Sequence, residues 1–309
     1  MCSDTTTLPD YVKFKGERDM KEAWQRWGAE DERGALNLIG PEEVRRAVSL
    51  VKSGEVVSLA QPLSAKTPGP KHRCGLQHFM NRDGGDYAAG GRRPGGFQFS
   101  EDSVVMPLHI GTHIDALCHA WYDDELYNGF SGNTVRSTTG AARLGVDKMP
   151  PIVTRAVLLD FVQLRGKPLA PDYSISRADL LEAAGAADIE IGRGDAVLIR
   201  TGWLEGQADV TDISFDIEPG IDVEAALWLA QRDVAVIGAD NYAIEVLPFP
   251  AGQVFPVHQR LIRDYGVPLL EGLSLKEIAS RKRSTFLLMA SALPIVGATG
   301  SPLAPTAVL

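Results

Sequence analysis

From Ile152 to Val296 short apolar runs alternate with capped helical stretches, and that alternation restricts the chain to an α/β fold. Ile152 to Phe161 reads as a strand. Ser176 to Ala187 reads as a helix, with Ser176 as its cap and Asp179 in its first turn. Asp195 to Arg200 is a second strand. Asp222 to Arg232 is a second helix, whose apolar face includes Ala226, Leu229 and Ala230, and Val234 to Gly238 is a short apolar strand. Val257 to Tyr265 and Ser274 to Arg281 read as helical, Val267 to Leu270 and Thr285 to Val296 as extended. Upstream, Pro41 to Val51 has proline in its first turn, Glu42 and Glu43 at its positive end, and Gly54 past its close, which is a helix. Glu55 to Ala60 follows as a strand.

No linker or repeat divides the 309 residues, so one domain over 1–309 is expected. Within it, residues 1–35 are polar but carry Trp24 and Trp27, as suits an N-terminal arm lying on the body or on a neighbouring subunit. Residues 63–100 are rich in glycine and proline, with Gly84-Gly85, Gly90-Gly91 and Gly95-Gly96. They read as a long loop, either a lid or pocket wall or a plain surface excursion.

The net charge of -9 gives no electrostatic drive toward nucleic acid or anionic lipid. Cys2, Cys74 and Cys118 are odd in number and lack CxxC spacing, so no disulfide framework is expected and a cytoplasmic setting fits. The start, Met1 to Lys15, has no apolar core of a secretory signal. The most apolar run, Phe286 to Ala298, is broken by Pro294 and too short to span a bilayer, so it reads as a buried strand.

Three of the chain's six histidines fall with an aspartate between His109 and His119. Imidazole and carboxylate are the donors that zinc, manganese and ferrous iron accept. His109 and His113 are four apart, as on one helical face, but Pro107 and the intervening Gly111-Thr112 oppose a helix there. His113 and Asp115 would share a face of a strand. A strand ending in a turn, with a helix beginning near Asp115, would aim His119 at the same point. A hydrolytic site needs further groups from elsewhere, and His258 and Glu271 are the best distant candidates. Glu271 sits in an apolar run, where its carboxylate needs a partner; Arg260 or Arg263 would serve as well as a metal. His72 and His78 read as ordinary hydrogen-bonded residues. Cys118 reads as a small core residue rather than a ligand or nucleophile. Asp240-Asn241 ends an apolar strand and either orients a ligand or starts a turn.

At these residues the chain resembles the cyclase family of metal-dependent hydrolases, which includes kynurenine formamidase and isatin hydrolase. The resemblance rests on His109, Gly111, Thr112, His113, Asp115 and His119, and on His258 followed by Glu271-Gly272-Leu273. It implies a swivelling β/β/α-type domain with a mixed sheet and flanking helices. It also implies that His109, His113 and Asp115 hold one metal, and that Asp115, His258 and Glu271 hold or bridge to a second. His119 would be the catalytic acid/base, zinc or manganese the ion (one or two of them), and a homodimer or homotetramer the assembly. Leu117 stands where the formamidases commonly have proline, and 67–70 lacks their tryptophan, so formylkynurenine is not the implied substrate.

The expected activity is hydrolysis of a small cyclic or aryl amide by metal-activated water. Two rivals use the same residues. A non-haem iron oxygenase would take His113, Asp115 and His258 as its triad. A non-catalytic, metal-stabilised binding module would close the coordination shell with protein groups alone.

Overall fold

The computed structural model describes residues 23–207 and 213–309. A nine-stranded mixed sheet runs through it. In chain order its strands are β1 (Val56–Ser58), β2 (His113–Asp115), β3 (Ile152–Asp160), β4 (Ala196–Arg200), β5 (Val236–Ala239), β6 (Leu269–Glu271), β7 (Thr285–Ala290), β8 (Gly300–Pro302) and β9 (Thr306–Val308). In space they lie β1-β9-β7-β3-β4-β5-β6-β2-β8. The four central strands, β3 to β6, are parallel, and every other pairing in the sheet is antiparallel. This is the mixed sheet with flanking helices that the family resemblance implies, and it agrees with the α/β alternation of the sequence.

The parallel strands owe their order to helical crossovers. Helix α1 (Pro41–Val48) packs on β3. Helix α2 (Arg177–Ala186) joins β3 to β4, and α3 (Val223–Ala230) joins β4 to β5. Each of the crossover helices begins at a side-chain cap. Ser176 Oγ accepts from Asp179 N at 3.3 Å while Asp179 returns the bond to Ser176 N at 3.0 Å. Asp222 accepts from Ala225 N at 2.7 Å. These caps satisfy amides that the first helical turn leaves without partners. Covered on both faces, Ala196 to Ile199 and all of β5 are buried, which is why both read as unbroken apolar runs.

Several elements differ from expectation, each for a local reason. Residues 63–100 are not a structureless loop: Gln77–Arg82 pairs antiparallel with Glu101–Val105, and between them Asp83 caps a short helix, Gly84–Ala88. The strand from Thr285 stops at Ala290, because Leu293 N turns to Ser301 Oγ at 2.9 Å and Pro294 has no amide to offer a ladder. No helix begins at Asp115. Ala116 N bonds Thr299 O and His119 N bonds Ala116 O, both at 2.9 Å, so a single tight turn replaces it. The helix ending near Tyr265 opens at Pro256–His258 and continues as a π-helix over Gln259–Asp264.

Of the expected arm, residues 1–22 lie outside the described residues. The remainder lies on its own chain: Trp24 Nε1 donates to Arg263 O at 2.9 Å, and the Arg263 guanidinium stands 4.8 Å from the Trp24 ring. No helix among the described residues is long and apolar enough to cross a membrane.

Candidate metal centre

Register brings the site together. In the β2–β6 pair His113 lies directly opposite Glu271, and directly opposite residues share a face. Two residues along β2, Asp115 shares that face, and its partner on β8 is Gly300. A side chain at 300 would collide with the site, since a Cβ there would lie 2.5 Å from His109 Cε1. The glycine opposite Asp115 makes room for the His109 ring.

The residues between the donors also have local tasks. Gly111 has φ +62° and Gly272 has φ +62°, in the left-handed region that favours glycine, and a Cβ on Gly272 would lie 2.5 Å from Gly111 O. Thr112 Oγ1 donates to Gly272 O at 2.7 Å and accepts from Gln61 N at 2.9 Å. The Gly-Thr of the histidine segment therefore locks it onto the turn that follows Glu271. Tyr242 Oη donates to His109 O at 3.0 Å, and Arg73 donates to the same carbonyl.

All six residues singled out from the sequence converge. His113 Nε2 lies 3.1 Å from Glu271 Oε2 and 3.7 Å from Asp115 Oδ1. His258 Nε2 lies 3.1 Å from Glu271 Oε1 and 3.6 Å from Asp115 Oδ2. His119 Nε2 is 4.0 Å from Asp115 Oδ2, and His109 Nδ1 is 2.7 Å from Asp115 Oδ1. The His109 and His119 rings stack with centroids 4.0 Å apart.

The donor set fits a cation. Donors about 2.1 Å from a common ion stand roughly 3.4 Å apart in a tetrahedral shell, and most of these separations lie near that value. Among the described residues His113 Nε2, Asp115 Oδ2 and Glu271 Oε1 are buried polar atoms without a hydrogen bond, close to their neighbours but misaligned with them. Such atoms are costly unless something else satisfies them, and here each lies within 3.7 Å of another donor of the cluster. His109, His113 and Asp115 form one group that could hold a metal ion, and Asp115, His119 and His258 form a second.

Electrostatics follow from the same packing. Burial opposes charge on Asp115, but His119, His109 and His258 around it hold its pKa well below the usual carboxylate value. Burial likewise opposes charge on Glu271, as does Asp115, yet His113 and His258 keep its pKa lowered. His113 and His258 are raised, because their carboxylate neighbours outweigh burial. His119 goes the other way: burial, reinforced by His109 and His258, lowers it to about 4. Its side chain is 26% exposed against 1% for His113 and 5% for His258, so it stands on the open side of the cluster.

The open alternatives resolve plainly. Glu271 is not an ion-pair partner of Arg260 or Arg263; both arginines reach Asp264, at 3.2 and 2.8 Å. Cys118 is a buried core residue whose thiol is pushed up to about 12 by burial, which suits neither ligand nor nucleophile. His78 bonds Asp102 at 2.7 Å on the exposed hairpin, away from the site. Asp240 and Asn241 shape turns: Asp240 accepts from Thr201 N, Thr201 Oγ1 and Gly202 N, and Asn241 Oδ1 accepts from Ile244 N.

Sequence reasoning missed Glu245, Glu218 and Thr299. Glu245 Oε1 lies 2.7 Å from His258 Nδ1. Glu218 accepts from Tyr242 N and Ala243 N at 3.0 and 2.6 Å, and Thr299 Oγ1 lies 3.0 Å from His109 Nε2. A glutamate in Ala-Ile-Glu245-Val, with no basic neighbour in sequence, was the one available signal.

A family model described as "Putative cyclase" matches residues 57–246. An isatin hydrolase of Roseibium aggregatum is 27% identical over 215 residues, covering 66% of this chain and 73% of that protein. A solved structure described as a novel cyclase has 36% identity and a TM-score of 0.85, covering 93% of this chain and 97% of that one. Isatin hydrolase A from Labrenzia aggregata, solved with benzyl benzoate, shares the fold at 22% identity and a TM-score of 0.62, over 85% of this chain and 98% of that one. The chain belongs to the cyclase family.

Proposed function

We propose that the protein is a metal-dependent hydrolase that cleaves a small cyclic or aryl amide. The observation that carries this reading is the set of three buried polar atoms, on His113, Asp115 and Glu271, that lack a hydrogen bond in a cluster where His119 alone is a quarter exposed. The isatin hydrolase relative supports it, since isatin is a cyclic aryl amide. His109, His113, Asp115, His258 and Glu271 are the residues that would hold one or two divalent ions, zinc or manganese. When bound, such an ion supplies Lewis acidity and lowers the pKa of water toward about 7.

The chain's own groups divide the remaining work. Asp115 lies between His109 and His258 and holds the His109 ring, whose Nδ1 is 2.7 Å from its Oδ1. His119 has a ring nitrogen on the open side. It can take a proton from the attacking water and return it to the leaving nitrogen. Stacking on His109 keeps its ring in place for both transfers. A small-molecule substrate would enter over His119, and we expect the enzyme to work as a homodimer or homotetramer.

The test pairs elemental analysis with turnover on a panel of cyclic and aryl amides. His119→Ala should retain metal and lose turnover, whereas Asp115→Ala should lose both. Normal turnover by the His119 variant would overturn its role. A metal-loaded wild type that hydrolyses no amide would overturn the reading itself.

A further inference from the structure

Glu245 is 1% exposed and sits beneath His258 with three nitrogens on its carboxylate. Oε1 accepts from His258 N at 3.0 Å and lies 2.7 Å from His258 Nδ1, and Oε2 accepts from Val257 N at 3.0 Å. The same carboxylate therefore fixes the backbone at the start of the Pro256 helix and the ring of its third residue. Phe255, the residue at the cap position, offers no side-chain hydrogen bond of its own.

The segment that delivers Glu245 is held in a conformation its sequence resists. Ile244 has φ +59°, a left-handed value that β-branched residues rarely adopt. Buried side chains impose it. Asn241 Oδ1 accepts from Ile244 N at 3.0 Å, and the Glu218 carboxylate accepts from both Tyr242 N and Ala243 N. On the far side Gly220 approaches so closely that a Cβ there would lie 2.3 Å from the Glu245 carbonyl carbon. Strain maintained by several buried polar groups at once points to a role for what the strained turn positions.

We infer that Glu245 is the positioning residue for His258, holding its Nδ1 as a hydrogen-bond donor so that Nε2 is presented to the cation. Both carboxylate oxygens already accept backbone amides, from His258 N and Val257 N, so the carboxylate is the accepting partner and Nδ1 the donor. The Nε2 atom then points at Glu271 Oε1, 3.1 Å away, and Asp115 Oδ2, 3.6 Å away, where the unpaired atoms converge. A carboxylate behind a ligating imidazole fixes the tautomer, locks the ring plane and raises its donor strength. This inference rests on the metal-binding reading above.

Two measurements test it, neither of them of activity. In zinc-loaded wild type labelled with nitrogen-15 histidine, two-bond proton–nitrogen correlations should show the His258 ring proton on Nδ1. Zinc affinity, read by competition with a chromophoric chelator, should weaken about 10–100-fold in Glu245→Gln. Cobalt(II) in place of zinc should show a changed visible spectrum in the same variant. A proton on Nε2 of His258 in the zinc-loaded protein, or a folded Glu245→Gln that binds zinc within about twofold of wild type, would overturn the assignment. The nitrogen spectrum needs no variant, so a misfolded substitution does not rescue the idea. A wild type that takes up no zinc removes the metal reading and this inference together, whereas wild-type binding with an indifferent Glu245 variant removes this inference alone.

Discussion

His113 and Glu271 face each other across an antiparallel register, with Nε2 and Oε2 3.1 Å apart. They are 158 positions apart in sequence, and the pairing of β2 with β6 makes them neighbours. Glu271 reaches His258 with its other oxygen at the same 3.1 Å, so this one carboxylate joins the two halves of the candidate centre.

Glu271→Gln should therefore weaken metal binding more than loss of a supporting group does. Zinc affinity is expected to fall by at least about 100-fold, because a ligand is lost rather than oriented less well. Titration against a chromophoric chelator measures it. Unchanged affinity would remove Glu271 from the ligand set.

Gly300→Ala places a methyl 2.5 Å from His109 Cε1 and 2.9 Å from Ile114 O. The backbone oxygen cannot retreat without disturbing the β2–β8 pairing, so the His109 ring must move. Turnover should drop by about 10²-fold, the scale expected when a group of the site is misplaced by an ångström. Circular dichroism should remain that of the wild type. Full turnover with Ala at 300 would show that His109 need not hold its observed position.

Stability should carry a signature of Asp240. Burial raises its pKa to about 6 from 3.8, despite the hydrogen bonds from Thr201 and Gly202 that favour the charged form. A raised folded-state pKa means a contribution that is present in full below the unfolded pKa and lost as pH rises through the folded one. Relative to Asp240→Asn, wild type should lose about 3 kcal/mol of unfolding free energy between about pH 3, below the unfolded pKa of 3.8, and about pH 7. Denaturant titrations of both proteins across that window provide the difference curve. A flat difference would show that Asp240 does not titrate there.

The hairpin of Gln77–Arg82 and Glu101–Val105 bears on assembly. Phe79 is 52% exposed and Val105 57%, and the register puts both on one face. A two-stranded hairpin is marginal in water without a covered face. We expect a homo-oligomer in solution, with this face covered in the assembly. Light scattering should give wild type a multiple of 33.3 kDa and the Phe79→Glu, Val105→Glu double variant a smaller mass. A wild type that scatters as a single chain, or a double variant of unchanged mass, would contradict it.

What the sequence determined by itself is what short-range physics controls. Ser176 announced its helix because a cap acts within one turn. β4 and β5 were legible because burial on both faces leaves an unbroken apolar run. The spacing from His113 to Asp115 gave a shared face because strand side chains alternate. The turn carrying His119 was expected as a helix, since four-residue spacing describes a single turn and a full helix alike. Only the tertiary structure decided that Thr299 takes the amide of Ala116 and ends the matter in one turn. Tertiary structure also decided that Glu271 serves His113 and His258 rather than the nearby arginines, and that Glu245 lies under His258. Those choices depend on strand register and on a strained turn held in part by the remote carboxylate of Glu218. Neither leaves a periodic trace along the chain, because the partners that fix them are remote in sequence and meet only when the sheet is assembled.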